Sequence, residues 1–354
     1  GRACIASSAA QGRYSMAEQI RLGLIGYGEI GSTLGRGLRG QGLENIVAYD
    51  GYAFDGPYSG LIQRRAQEAG VVLVRDPAAL TAQTDLILGV TPGSASLDSA
   101  ASLATVLTPA HWFVDVASAT PGIKREVAAR VQPSGVIAGD ASIVGTPADG
   151  HGLPILASGP ASERMRDALV PWGMRIEVVG PDIGTASGIK ILRSVVMKGL
   201  EALLVECLLA SRQLGIEQPI LRSLDKTFAK PFSDLANSLL TTGAIHAERR
   251  SEEVAMSADA LTEAGLDNTV AAAAAARLRW VAGMGLKQHF GGTVPGRYED
   301  VLDAMIAKGA LSWASLIGSI RRAASSAGLR GLARAYFSAD HPMMAAGRKP
   351  FYQE

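Results

Sequence analysis

Three glycines and one lysine carry most of the chemistry this sequence could perform. The glycines stand in Gly26-Tyr27-Gly28-Glu29-Ile30-Gly31, directly after the apolar run RLGLI and ahead of Ile30, Leu34 and Leu38 at helical spacing. Between a strand and a helix, the first glycine permits a tight turn and the second lets the main chain approach a pyrophosphate. The third lets helix and strand pack closely. The helix amino terminus then favours phosphate charge. Asp50 ends the second apolar run, where a carboxylate can accept from ribose hydroxyls and would repel a 2′-phosphate. The pattern points to NAD or NADP, with Asp50 favouring NAD. Arg64 and Arg65 downstream keep NADP open, since they suit either a phosphate or a solvated helix face. The structural alternative is a glycine-rich turn of an ordinary α/β domain.

Lys190 lies near the start of a long, largely apolar stretch, with Ser194 and Lys198 following at four-residue steps on one helical face. Two readings fit that stripe. It is either a solvent edge with snorkelling lysines, or a polar line facing a cleft, where burial lowers an ammonium pKa towards proton-transfer use. His246 and Arg250 share a helical face as well. They suit recognition of an anionic substrate, or else an exposed helix laced by ion pairs with Glu252 and Glu253. The five histidines have no metal-ligand spacing, so no metal is expected.

The elements that must position these residues follow from periodicity. Short apolar runs at 21–26, 46–50, 71–74, 86–90, 112–116 and 136–140, with a further one at 153–159, alternate with helix-like segments such as 57–69 and 94–106. Alternation of this kind implies an α/β Rossmann-type parallel sheet domain. Near Pro181 the character changes. One helix is expected from Asp182 to about Gln213, followed by helical blocks at 219–241, 244–264 and 268–283, separated by Gly243 and Gly265. The expected organisation is a disordered extension over 1–15, a dinucleotide-binding domain over 18–181, an all-α domain over 182–308 for substrate binding and dimerisation, and a tail of unassigned role over 309–354.

Composition narrows the classes. The 354 residues carry 34 Lys+Arg against 33 Asp+Glu, a net charge of +1, which lacks the basic footprint of a nucleic-acid binder. Two cysteines cannot build a disulfide framework, and no apolar run reaches membrane-spanning length. A cytoplasmic protein with a small-molecule substrate, no nucleic acid and no membrane is expected. The long apolar helices suggest a homodimer packed through residues 190–285.

Four motifs in order resemble the β-hydroxyacid dehydrogenases, which include 3-hydroxyisobutyrate and 6-phosphogluconate dehydrogenases. They are LGLIGYGEIG, DVASATP (115–121), DASIVGT (140–146) and GTASGIK (184–190). The resemblance spans about residues 20–210. KILRSVVMKGLEALLVE and HAERRSEE are similar to a subgroup with a poorly characterised helical carboxyl-terminal domain. It implies Lys190 as general acid/base, Ser118 lining the cleft beside the nicotinamide and substrate hydroxyl, and Ser194 beside the lysine. It also implies Thr91 and Pro92 bordering the nicotinamide, and Gly145 and Thr146 at the substrate; helical spacing adds Lys198, His246 and Arg250 as further candidate substrate contacts.

Two departures separate this chain from the family pattern. Val144 replaces a serine of the substrate motif, where Thr146 also replaces a glycine, and Ser194 replaces the asparagine usual four residues after the lysine. Substrate identity therefore does not carry over. The activity implied is hydride transfer between a nicotinamide cofactor and a small hydroxy acid or carbonyl compound. The alternatives are an imine reductase-type enzyme and a non-catalytic dinucleotide-binding redox sensor.

Overall fold

The computed structural model describes residues 20–311, in two compact units that divide between Val196 and Met197. The expectations for residues 1–15 and for the tail beyond 311 lie outside the described residues.

The first unit is built on β1 (Leu22–Ile25), α1 (Glu29–Gly40), β2 (Ile46–Tyr49), α2 (Ser59–Ala69), β3 (Val72–Val74), α3 (Pro77–Thr81) and β4 (Leu86–Gly89). The chain continues through α4 (Ser96–Ala104), β5 (Trp112–Asp115), α5 (Pro121–Val131), β6 (Ile137–Ile143), β7 (Pro154–Ser158), α6 (Ser162–Leu169) and β8 (Arg175–Gly180). It ends in the first turns of α7 (Thr185–Leu214). All eight strands form one sheet in the order β3-β2-β1-β4-β5-β6-β7-β8. Strands β1 to β6 are parallel, β7 runs antiparallel to β6, and β8 is parallel to β7. The α/β architecture expected from the sequence is present, with β8 as an additional strand.

Both faces of the sheet are covered, which is why its central strands read as continuous apolar runs. Leu24, Leu88 and Val114 pack with Leu34 and Leu38 of α1 on one face. Their neighbours Ile25, Ile87 and Phe113 pack with Leu103 of α4 and Val127 of α5 on the other. Strand order reverses between β1 and β4, so the loops leaving β1, β2, β4 and β5 share the carboxyl edge at a topological switch point. Farther along, Asp115, Asp140, Ser158 and Gly180 stand in register across β5, β6, β7 and β8. That row leads from the end of β5 to the segment entering α7.

The strands give way to helices near Pro181, yet the compact units divide later, inside α7. Its first turn is bonded to the sheet: the Ala186 N–H donates to Ser158 Oγ at 3.0 Å, and the Ser187 N–H to Asp140 Oδ2 at 3.0 Å.

The second unit is helical throughout its described residues. The rest of α7 is followed by α8 (Glu217–Phe228), α9 (Phe232–Glu263), α10 (Thr269–Ala282), α11 (Leu286–His289) and α12 (Tyr298–Ala307). Gly243 does not break a helix, contrary to expectation. The break falls at residues 229–231, where Pro231 lacks an N–H, and α9 runs on through Gly243 with its irregularity at His246 (φ −113°, ψ 16°). The Glu206 carboxylate accepts from the N–H groups of Val270 (2.6 Å) and Ala271 (3.0 Å), capping α10 from another helix.

Candidate active site

The glycine turn has the steric form that its sequence implies. Gly26 has φ +97°, and a Cβ there would lie 2.9 Å from the Val90 carbonyl oxygen. At Gly31 a Cβ would collide with the carbonyl of Gly26, so only glycine lets α1 come this close. Gly28 differs, since a Cβ built there meets nothing within 4 Å. The space in front of it is open, and no side chain caps α1. The first N–H groups of a helix have no partners within it, so this end is equipped for an anion.

Asp50 fixes the turn from the end of β2. Its Oδ2 accepts the Tyr27 N–H at 2.7 Å, and its Oδ1 accepts the Tyr52 N–H at 2.9 Å. Each oxygen retains further acceptor capacity. Of Tyr27, the main chain lies in the turn. Its ring is fully buried beneath α1, with the hydroxyl where a side chain on Gly35 would be, and burial pushes that hydroxyl up to about 12. Glu29 is exposed in the first turn of α1, whereas Ile30 packs partly into the core.

Contacts run from this cradle to the lysine. Gly26 abuts Val90 and Thr91 at the end of β4, where the Thr91 hydroxyl is buried without a hydrogen-bond partner. Pro92 is exposed beside it. Gly93 has no room for a side chain, because the carbonyl of Ser118 occupies that place. Ser118 follows β5, and Lys190 Nζ donates to its hydroxyl at 2.5 Å. Lys190 is half-buried; its pKa is lowered, first by loss of solvent and second by the charge of Lys124. Both causes make the neutral amine easier to reach, as proton transfer requires.

Lys124 is the residue of this region that sequence patterning passed over. Its ammonium is wholly buried on α5, 3.1 Å from Asp115 Oδ2 and 3.3 Å from Asp140 Oδ1. It also donates to the carbonyls of Asp115 (2.6 Å) and Ala141 (3.2 Å). Asp140 in turn accepts, through Oδ2, from the Gly184 N–H (3.1 Å), the Ser187 N–H (3.0 Å) and the Ser187 hydroxyl (2.9 Å). The segment bearing Ser118 and the helix bearing Lys190 are thus anchored to one ionic cluster. The cluster has a faint signature in Asp115 and Asp140, each ending or crossing an apolar run, but its lysine has none.

Comparison with known proteins agrees with this fold. A domain of unknown function, DUF1932, matches residues 211–281. An uncharacterized 28.5 kDa protein of Methanothermus fervidus is 30% identical over 236 residues, covering 66% of this chain and 88% of that protein. A solved protein of unknown function, described as structurally similar to 3-hydroxyacid dehydrogenases, is 29% identical with a TM-score of 0.52, over 77% of this chain and 100% of that one. The chain belongs to the β-hydroxyacid dehydrogenase-like NAD(P)-binding family, in the subgroup with a helical carboxyl-terminal domain. An imine reductase variant from Myxococcus stipitatus, solved with NAD+, has the same fold at 19% identity and a TM-score of 0.62, over 80% of this chain and 99% of that one.

Against the pattern of these β-hydroxyacid dehydrogenase-like proteins, the departures now have positions. Ser194 donates its hydroxyl to the Lys190 carbonyl at 2.9 Å, within the helix, which leaves only its oxygen lone pairs for a ligand. Gly145 and Thr146 follow β6, and both the N–H (2.8 Å) and the hydroxyl (3.2 Å) of Thr146 donate to Asp149. The remaining predicted residues belong to the second unit. Lys198 pairs with Glu201 at 2.7 Å, His246 is exposed at the irregular turn of α9, and Arg250 donates to the Leu239 carbonyl (3.2 Å) and the Thr242 hydroxyl (2.8 Å). No group of His, Cys, Asp and Glu suited to a metal occurs among the described residues.

Proposed function

We propose that this protein is an NAD(P)-dependent oxidoreductase acting on a small, anionic hydroxy acid or the corresponding carbonyl compound, with Lys190 as general acid/base. The observation that carries the reading is the 2.5 Å hydrogen bond from Lys190 Nζ to Ser118 Oγ, joined by contacts to a dinucleotide cradle in the same unit. The cradle fits the cofactor: open space before Gly28, an uncapped α1, and a buried Thr91 hydroxyl that lacks a partner. The main chain of residues 26–31 would hold the pyrophosphate, Asp50 the ribose, and Thr91 and Pro92 the nicotinamide end. When bound, the nicotinamide supplies or accepts the hydride.

The chain's own groups then manage the proton. In the oxidative direction the neutral Lys190 amine takes the hydroxyl proton of the substrate, and in the reductive direction the ammonium returns it. Ser118 accepts from Lys190 and has its own O–H left to orient the substrate oxygen. Asp50 favours NAD over NADP by like-charge repulsion of a 2′-phosphate. Among proteins of this fold, Myxococcus stipitatus imine reductases were solved with NAD+ as a variant and with NADP+. We further propose that two copies associate through the exposed apolar residues of α7 and α8.

The test is turnover of Lys190→Met across hydroxy acids, their carbonyl counterparts and cyclic imines, with either cofactor. Loss of about 10²–10⁴-fold in turnover on a hydroxy acid, with cofactor affinity kept, supports the reading. Native activity confined to imines would replace it with C=N reduction. Cofactor binding without turnover on any substrate would leave a redox sensor.

A further inference from the structure

Lys124 is out of place by ordinary rules. Lysines on amphipathic helices extend their ammonium groups to water, and a buried one costs several kcal/mol unless it is closely paired. On α5 this side chain instead turns fully inward, to four oxygens of two strands. Apolar side chains of similar volume in place of the whole cluster would serve stability about as well, so burial alone gives no reason for charges here.

We propose that Lys124 is a positioning residue for Lys190, tying the end of β5 to the start of α7 and setting a fixed positive charge behind the reacting amine. The inference rests on the reading of Lys190 as the acid/base. Geometry supplies the first half. Lys124 holds Asp115, three residues before Ser118, and Asp140, which holds the main chain of Gly184 and Ser187 one turn before Lys190. Charge supplies the second half. A nearby cation disfavours an ammonium, as in other lysines used for proton transfer or nucleophilic attack, and Lys124 acts on Lys190 in that direction. Other charged groups on the elements that meet here are Asp115 and Asp140, both on Lys124, Arg125 against Gly184, and Arg193 on α7 itself. Asp115 is itself raised by burial, with the Lys124 charge opposing that shift.

The test is an NMR pH titration of the full chain labelled with 13Cε-lysine, with the Lys190 signal assigned by its loss in Lys190→Met. Three variants are compared with the native chain. Lys124→Met should make Lys190 about three- to tenfold harder to deprotonate, and Lys124→Arg should restore the native midpoint. Asp115→Asn is decisive, because it keeps Lys124 and removes a compensating negative charge. It should make Lys190 about three- to tenfold easier to deprotonate, whereas mere loosening would admit water and move the midpoint the other way. If Lys124→Met does not fold, Asp115→Asn and Lys124→Arg decide alone. An unmoved or upward midpoint in Asp115→Asn overturns the proposal. Turnover separates it from the functional reading: midpoints that move as expected, with activity indifferent to Lys190→Met, would sink the acid/base assignment and leave the electrostatic link standing.

Discussion

Asp140 receives two hydrogen bonds from Ser187, from its N–H at 3.0 Å and its hydroxyl at 2.9 Å, across 47 residues of sequence. With the Gly184 N–H on the same oxygen and the Ala186 N–H on Ser158 Oγ, the first turn of α7 is capped by the sheet rather than by its own flank. The orientation of Lys190 therefore depends on β6 and β7. Asp140→Ala would strip α7 of this cap and leave Lys124 with one carboxylate fewer. Breaking a buried pair from one side costs about 3–5 kcal/mol, so a fall of that size in urea-unfolding free energy is expected. A loss below about 1 kcal/mol would mean that the cluster does not hold the helix.

The glycine turn separates folding from binding. Gly31→Ala sets a methyl group against the Gly26 carbonyl, a main-chain group that cannot swing aside, and should cost about 1–3 kcal/mol. Gly28→Ala meets open space in the protein itself, so its thermal midpoint should stay near native. Its methyl would instead occupy room proposed for the pyrophosphate. Fluorescence titration with NADH and NADPH should show affinity reduced at least about tenfold, on the order of 1.4 kcal/mol. Equal binding by Gly28→Ala would move the cofactor away from this turn.

The proton reading has a sign in each direction. Lys190 is held below the ordinary lysine value of 10.5, by desolvation first and by Lys124 second. Oxidation needs the amine, so its kcat should rise with pH through a midpoint below 10.5. Reduction needs the ammonium, so its kcat should fall with pH through the same midpoint. Lys190→Met should flatten both limbs. Profiles with the same slope in both directions would assign the titration to another group.

Much of the first unit is legible in the sequence, because its strands are buried on both faces and announce themselves as short apolar runs. The glycine turn is legible too, since each glycine answers a local steric need. Strand β8 is harder to see: Arg175 and Glu177 alternate with Ile176 and Val178 in a run of only six residues. Lys124 is invisible for a different reason. It stands among Arg125, Glu126 and Arg130 on a helix that looks solvated, and its burial depends on the register that aligns Asp115 with Asp140. No local window contains that alignment. In the second unit, a glycine in a helix costs about 1 kcal/mol against alanine, which suggests a break at Gly243. The Arg250 guanidinium bridges back to Leu239 and Thr242 and spans that weak point.

Arg250 therefore has a structural task inside α9. Arg250→Met should lower unfolding free energy by about 1–2 kcal/mol, the value of two hydrogen bonds from a charged donor with partial exposure. It should leave KM for an anionic substrate within about twofold, since a substrate-binding arginine would be worth more than 1.4 kcal/mol and so exceed tenfold. A tenfold rise in KM with native stability would instead support Arg250 as a substrate contact.

The described residues of the second unit leave apolar surface exposed. Val205, Leu209 and Leu214 of α7 are each more than half exposed, at 55%, 56% and 64%, and α8 buries none of its residues fully despite Leu221 and Phe228. An amphipathic helix of twelve residues with nothing fully buried gains little from packing among the described residues, and its apolar face suits a covering surface. The proposed occupant is a second copy, with the same patch on both sides of a two-fold axis. Light scattering at micromolar concentration should give twice the mass of one chain. The double substitution Val205→Glu and Leu209→Glu should return the mass to one chain, because two like charges would face their copies in a desolvated interface. A native protein that scatters as a single chain would leave this face to a different partner.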